Sequence, residues 1–250
     1  MNWLLQNFRR RFRFALRNPS YVTASLFREL TLADERFLSG ITGISSTRIR
    51  SFLNEPFRTP AFADWLHKAE SYFHQAKVEG ADLYAKKILV QYAAIRAMAP
   101  DVVVETGVAS GVSTSYILLA LQKNGSGKLH SIELGDPQYL PPDKPFGWIV
   151  PDWLRYNWEL HMGDSRALLP QLLVEHAFID VFIHDSLHTY EHMLWEFRTA
   201  YPRLRPGGLL ISDDAAWNPA FPEFAREVNA TRARVLRGVG FIQKNPLRSL

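Results

Sequence analysis

The chain has 250 residues, 47% of them apolar and 22% charged, a balance that suits a globular protein able to bury one substantial core. It contains no cysteine, which excludes disulfides, thiolate zinc sites, iron–sulfur clusters and a cysteine nucleophile, and makes a cytoplasmic setting the simpler expectation. The formal charge of +4 is modest and largely local: Arg9, Arg10, Arg11, Arg13 and Arg17 all precede the first acid, Glu29, so nucleic acid is not an expected partner.

In chain order, Leu4, Leu5, Phe8, Phe12 and Leu16 share one side of a basic amphipathic helix. Such a helix packs on its own domain, packs on a second copy in a homo-oligomer, or makes a peripheral contact with an anionic membrane. Trp3-Leu4-Leu5 runs into arginines instead of the apolar core of about 7 to 15 residues that a secretory leader carries, and no apolar run reaches the about 18 residues of a membrane span. Helical spacing returns from Leu30 to Leu38 and from Pro60 to Gly80, with Gly40, Gly43 and Pro56 as punctuation. Residues 1–80 are therefore expected to form a helical cap.

From Ala81 onward, helices alternate with short β-branched runs, the pattern of a parallel sheet covered on both faces. Strands are predicted at Val102 to Glu105, Leu129 to Glu133, Trp158 to Met162, Ile179 to His184 and Leu209 to Asp213. Helices are predicted at Ala81 to Ala99, Val112 to Lys123, Arg166 to His176 and Tyr190 to Leu204. The fold class is thus α/β, with a doubly wound, mostly parallel sheet over residues 81–250. Ligands of such sheets bind beyond the carboxyl ends of the strands. A long segment, Gly135 to Tyr156, carries Tyr139, Phe146, Trp148, Trp153 and Tyr156 with five prolines. It is either a lid over the site or an insertion packed on the cap.

The first strand leads into Glu105-Thr106-Gly107-Val108-Ala109-Ser110-Gly111-Val112-Ser113. Gly107 permits a tight turn against a ligand, Gly111 lets the next helix approach, and the helix start around Ser113 offers unpaired amides. The acid-x-Gly-x-x-x-Gly spacing differs from the dinucleotide fingerprint, which argues against a nucleotide-dependent oxidoreductase. Glu133 ends the second strand, where doubly wound folds present an acid to ribose hydroxyls; a solvated strand end is the plain alternative. Gly163-Asp164-Ser165 is either a helix cap or a turn facing a nucleotide base.

These positions resemble the class I methyltransferases over about Ala81 to Lys244. Glu105-x-Gly107-x-x-x-Gly111-x-Ser113 is similar to the first motif of the cation-dependent O-methyltransferases related to catechol O-methyltransferase. Phe182 to Glu191 and Leu204 to Asp214 resemble the branch containing macrocin O-methyltransferase and the cephalosporin hydroxylase-like proteins. The resemblance implies a seven-stranded sheet, with a reversed final strand pair in Arg232 to Lys244 whose Arg232, Arg234 and Arg237 face solvent. It further implies S-adenosylmethionine held by Glu105, Gly107, Gly111, Ser113, Glu133, Asp164 and Ser165, and a small-molecule hydroxyl acceptor such as a sugar, glycan precursor or natural product.

Asp185 closes the fourth strand and Asp213-Asp214 the fifth, so three carboxylates are expected at neighbouring strand ends. Their mutual repulsion would be relieved by a hard cation such as Mg2+, which takes oxygen ligands and can activate a hydroxyl. His188 stands where the catechol-type enzymes carry a basic lysine, and its ordinary pKa near 6.5 suits general-base work; metal ligation, a substrate hydrogen bond and a helix-start role are the alternatives. A degenerate scaffold on the same fold is the remaining reading, and the intact acids argue against it. Trp217-Asn218 either lines the acceptor pocket or packs as a loop.

Overall fold

The computed structural model describes residues 33–75 and 83–245, so the basic segment from Leu4 to Leu16 lies outside the described residues. Three helices come first: α1 (Ala33–Thr42), α2 (Ser46–Arg58) and α3 (Pro60–Gln75). Ser45 starts α2 by accepting a hydrogen bond from the Arg48 amide, satisfying one of the free donors of the first turn. Pro56, expected to break the chain, lies inside α2 only two residues from its end. There it costs a single amide donor near a terminus that frays anyway, and Pro60 sets the first turn of α3. Gly40 likewise sits within α1, and Gly43, at φ +74°, stops it.

Next come α4 (Lys86–Met98), β1 (Val102–Thr106), α5 (Val112–Asn124), β2 (Lys128–Glu133), β3 (Trp158–Met162), α6 (Ser165–Glu175) and β4 (Ile179–His184). The chain continues through α7 (Tyr190–Ala200), β5 (Leu204–Ser212), α8 (Ala220–Glu227), β6 (Ala233–Leu236) and β7 (Val239–Gln243). The strands form one sheet in the order β3-β2-β1-β4-β5-β7-β6, parallel except for β7, which runs antiparallel to both its neighbours. The seven-stranded, doubly wound sheet is the one expected. Three boundaries differ by more than one residue: α4 begins five residues after Ala81, α7 ends four residues before Leu204, and β5 begins five residues before Leu209.

Each face of the sheet buries its own apolar cluster. On one side Ile49, Phe52, Phe62 and Leu66 of the cap join Tyr92 of α4, Leu119 of α5 and Val103, Val181 and Ile211 of the strands. On the other, Leu169 of α6, Phe197 of α7 and Phe224 of α8 cover Val104, Phe182 and Leu210. The alternation along each strand sends neighbours to opposite faces, which is why Val103 and Val104 fall in different clusters. The cap therefore shares a core with the sheet.

Segment 135–156 packs on that cap, the second of its two readings. Trp148 lies 4.5 Å from the Tyr72 ring and 5.7 Å from Phe73, and the Trp65 indole donates to the Ile149 carbonyl at 2.7 Å. The Gly147 and Ile149 amides donate to Ala109 and Ser110 of the glycine loop at 2.8 and 3.2 Å. The segment thus joins cap to loop. Arg232 and Arg234 are exposed, as expected, whereas Arg237 is not on a solvated face: it pairs with Asp34 of α1 at 2.7 Å. Among the described residues, no helix is long and apolar enough to cross a membrane.

Candidate active site

From β1 the chain turns outward to β2 and β3, and from β4 it turns the opposite way to β5. The crevice of a doubly wound sheet opens where that direction reverses, beyond the ends of β1 and β4. Gly107 follows β1, Asp185 follows β4, and Asp213 follows β5. Backbone bonds hold these three ends in register: the Asp185 amide donates to Thr106 and the Asp213 amide to His184, each at 2.8 Å. Gly107 adopts φ +87°, and a Cβ there would stand 2.0 Å from the Asp185 carbonyl oxygen. The crossing of the loop over β4 therefore requires glycine.

Glu133 organises the loop. One of its oxygens accepts from the Val108 and Ala109 amides at 2.8 and 2.9 Å, and the other from Gly135 at 3.0 Å. Three of its roughly four lone-pair directions are thereby used, leaving about one for a ligand hydroxyl. Gly111, at φ +91°, caps α5, and its bare Cα admits Val150 and Gly147 of the docked segment. Ser113 lies in the first turn of α5, partly exposed. Asp164 is an exposed N-cap whose side chain accepts from the Arg166 amide at 2.8 Å. Ser165 is buried, 3.3 Å from His192 Nε2.

Glu105 is fully buried. Its Oε2 accepts from Thr114 and Ser131 hydroxyls at 3.0 and 2.7 Å, while its Oε1 has no partner. Burial pushes its carboxyl up to about 7 against the two hydroxyls that favour the anion. The folded chain holds this proton more tightly than the unfolded one, so stability falls as pH rises from about 4.5 to about 7 and is level above. Glu105→Gln is expected to stabilise the protein by about 3 kcal/mol at most at pH 8, and to change little at pH 4. Thermal unfolding at the two pH values checks this; an equal effect at both would disprove the ionisation account.

On the other side of Gly107, Asp185, His188 and Asp213 each bring a ligand atom within 4.8 Å of the others. His188 Nε2 stands 3.9 Å from Asp185 Oδ1. Two atoms here, Asp213 Oδ1 and His188 Nε2, are buried without a hydrogen-bond partner. Desolvation, and then the Asp213 carboxylate, hold the Asp185 carboxyl well above its ordinary range. Desolvation, followed by His184, pushes His188 down and keeps its imidazole neutral near pH 7. Asp214, the other acid of the pair, stands outside this group: it adopts φ +44° and lies 3.9 Å from Lys87.

Residues 104–215 match a family described as a methyltransferase domain, a span that holds every one of these loop and acid positions. The match spans a little under half of the chain and makes residues 104–215 similar to methyltransferase domains. The O-methyltransferase TomG from Streptomyces achromogenes, solved with SAM, is 18% identical with a TM-score of 0.53, covering 72% of this chain and 90% of that one. A Bacillus cereus O-methyltransferase solved with SAH is 17% identical with a TM-score of 0.51, over 72% and 89%. At these identities the matches establish the fold. Demethylmacrocin O-methyltransferase of Streptomyces fradiae is 32% identical over 65 residues, which are 25% of this chain and 16% of that protein.

Two further parts of the candidate site escaped sequence reasoning. Lys87, in the first turn of α4, extends its ammonium to Asp213 Oδ2 at 2.5 Å. It offsets part of the acid cluster, and its own pKa rises through that bond despite desolvation, which opposes the rise. Nothing in the local pattern Lys86-Lys87 distinguishes it from a solvated helix start. Beneath the domain's acid edge, fully buried Glu196 of α7 accepts from the Thr106 hydroxyl at 2.6 Å and the Ser186 hydroxyl at 2.9 Å. It also meets His184 Nδ1 at 2.7 Å and His192 Nε2 at 2.9 Å. These bonds, chiefly those from His184 and His192, depress its pKa against the cost of burial. The His192-x-x-x-Glu196 spacing, one helical turn, was the available signal. His184, read as a plain strand residue, belongs to this support: its ring lies 5.1 Å from His188 and orients the wall behind it.

The loop after β5 folds over the same edge. Asn218 donates to the His188 carbonyl at 3.1 Å and accepts from the Ala220 amide at 2.8 Å, while Trp217 is exposed. Asn218 thus fixes the His188 turn, and Trp217 stands free beside it.

Proposed function

We propose that the protein transfers the methyl group of S-adenosylmethionine to a hydroxyl oxygen of a small molecule, with a divalent cation such as Mg2+ at the acid edge. The observation that carries this reading is the pair of buried, unpartnered atoms, Asp213 Oδ1 and His188 Nε2, grouped with Asp185 beside the glycine loop. Buried polar atoms without partners are costly, and atoms of this donor type, spaced within 4.8 Å, suit a cation and the oxygen of an acceptor.

On this reading Gly107 and the amides of the loop receive the donor, Glu133 meets its ribose, and the Asp164-Ser165 turn borders its adenine. Gly111 and Ser113 set the start of α5 behind it. Asp185 and Asp213 would hold the cation, with Asp214 adding negative charge nearby, and the cation would supply positive charge that lowers the pKa of the acceptor hydroxyl. His188, neutral near pH 7, accepts the hydroxyl proton at Nε2. The acceptor oxygen forms its bond to the methyl carbon as the carbon–sulfur bond breaks, and S-adenosylhomocysteine leaves with the electron pair on sulfur. No covalent enzyme intermediate is required, so positioning carries most of the rate. A sugar, glycan precursor or natural-product hydroxyl is the acceptor class that the macrocin-type resemblance favours, with exposed Trp217 as a surface for its ring.

Calorimetric titration with S-adenosylmethionine and S-adenosylhomocysteine, with NAD as control, tests the first half. Binding of the sulfur nucleotides and not of NAD is expected. A hydroxyl-acceptor screen with and without Mg2+ tests the second half, and turnover indifferent to chelation would remove the metal from the reading.

A further inference from the structure

A second group of metal-ligating side chains lies on β2 and β3, away from the switch point. His130 of β2 is paired in register with Glu159 of β3, and His161 follows Glu159 by two residues, so all three project from the same face of the sheet. His130 Nδ1 stands 3.5 Å from His161 Nε2 and 3.6 Å from Glu159 Oε2. One ligand atom from each residue falls within 4.8 Å of the others. A tetrahedral zinc ion with bonds of 2.0–2.1 Å separates its ligand atoms by about 3.3–3.4 Å. Two of the edges are thus already near the required length.

An independent observation points the same way. His176, just beyond α6, places its ring 5.0 Å from that of His130, and its Nε2 is buried without a hydrogen-bond partner. The main competitor is Lys128, which bonds Glu159 at 2.5 Å across a half-exposed surface. Exposed ion pairs of this kind contribute little, and a cation would readily displace the lysine.

We propose that His130, Glu159 and His161, with His176 beside them, form a binding site for a borderline transition-metal cation, zinc(II) above all. Two imidazoles and one carboxylate select such an ion over magnesium, whose preference is for oxygen. Bound there, the ion would tie β3, an edge strand with one neighbour, to β2. The two strands end close by at Glu133 and Met162, so the site would brace the corner of the crevice from below.

The acid edge could also take zinc, so the test uses the full chain carrying Asp185→Asn, stripped with chelator and titrated with zinc against a fluorescent competitor. One equivalent is expected to bind. Adding His161→Ala or Glu159→Gln should weaken it by at least the roughly 10- to 100-fold that loss of even an outer-shell partner costs. Glu159 is half exposed, so its substitution leaves the packing intact. Cobalt(II) in place of zinc should give the intense visible bands of a four-coordinate ion, absent in the double variants. Failure of the Asp185→Asn chain to bind zinc, or equal affinity after both further substitutions, would overturn the proposal.

Discussion

Asp185→Asn is expected to lower kcat on the order of 10²–10³-fold while leaving S-adenosylmethionine affinity and the fold unchanged. The substitution is nearly isosteric and keeps the backbone bond between the Asp185 amide and Thr106, which joins β4 to β1. It removes only charge. That charge is unfavourable in the protein alone: desolvation and the neighbouring Asp213 carboxylate both favour the neutral acid. The variant should therefore unfold at the same temperature as the parent or higher. A rise in stability with a loss of turnover marks a group retained for chemistry at a cost to the fold. Steady-state kinetics, calorimetric donor binding and thermal unfolding on one preparation supply the three readouts. Parallel loss of donor affinity would move Asp185 into the cofactor site and remove it from the acceptor side.

The contrast between what the sequence revealed and what it hid has a physical basis. Ile179 to His184 is legible to the residue because a buried parallel strand must be a short apolar run between polar turns, and Trp158 to Met162 because an edge strand alternates apolar with polar residues. Gly107, Asp185 and Asp213 were legible for a related reason: in a doubly wound sheet, position along the chain fixes position at the crevice. Lys87 was not. It reaches Asp213 across 126 residues of sequence, from a helix start whose composition is that of any exposed surface. The scheme of three equivalent acids at the edge also needed the structure, because Asp214 adopts a left-handed conformation and stands toward Lys87, whereas His188 joins Asp185 and Asp213. Pro56 shows the limit of punctuation: it is buried in the last turn of α2, on a helix whose Phe52 ring lies under Arg96 of α4, a tertiary contact that no window of residues contains.

Gly107→Ala should be the most disruptive single-methyl change in the crevice, costing about 3 kcal/mol or more and abolishing donor binding. Two effects add. At φ +87° a side chain meets the left-handed penalty of about 1–2 kcal/mol. In addition, the new Cβ would lie 2.0 Å from the Asp185 carbonyl oxygen and 2.5 Å from its carbon, both backbone atoms, so no rotamer change can relieve the clash. The loop must lift from β4, which strains the Val108 and Ala109 amides away from Glu133 and spoils the turn that faces the donor. Gly43→Ala provides the control: its φ is also positive, at +74°, but nothing lies within 4 Å of the added carbon. It should show only the left-handed penalty and bind donor normally. Chemical denaturation and S-adenosylhomocysteine titration of the pair separate backbone strain from the crowding of loop against strand. Equal behaviour of the two variants would mean that the close approach of Gly107 to Asp185 is not what shapes the donor site.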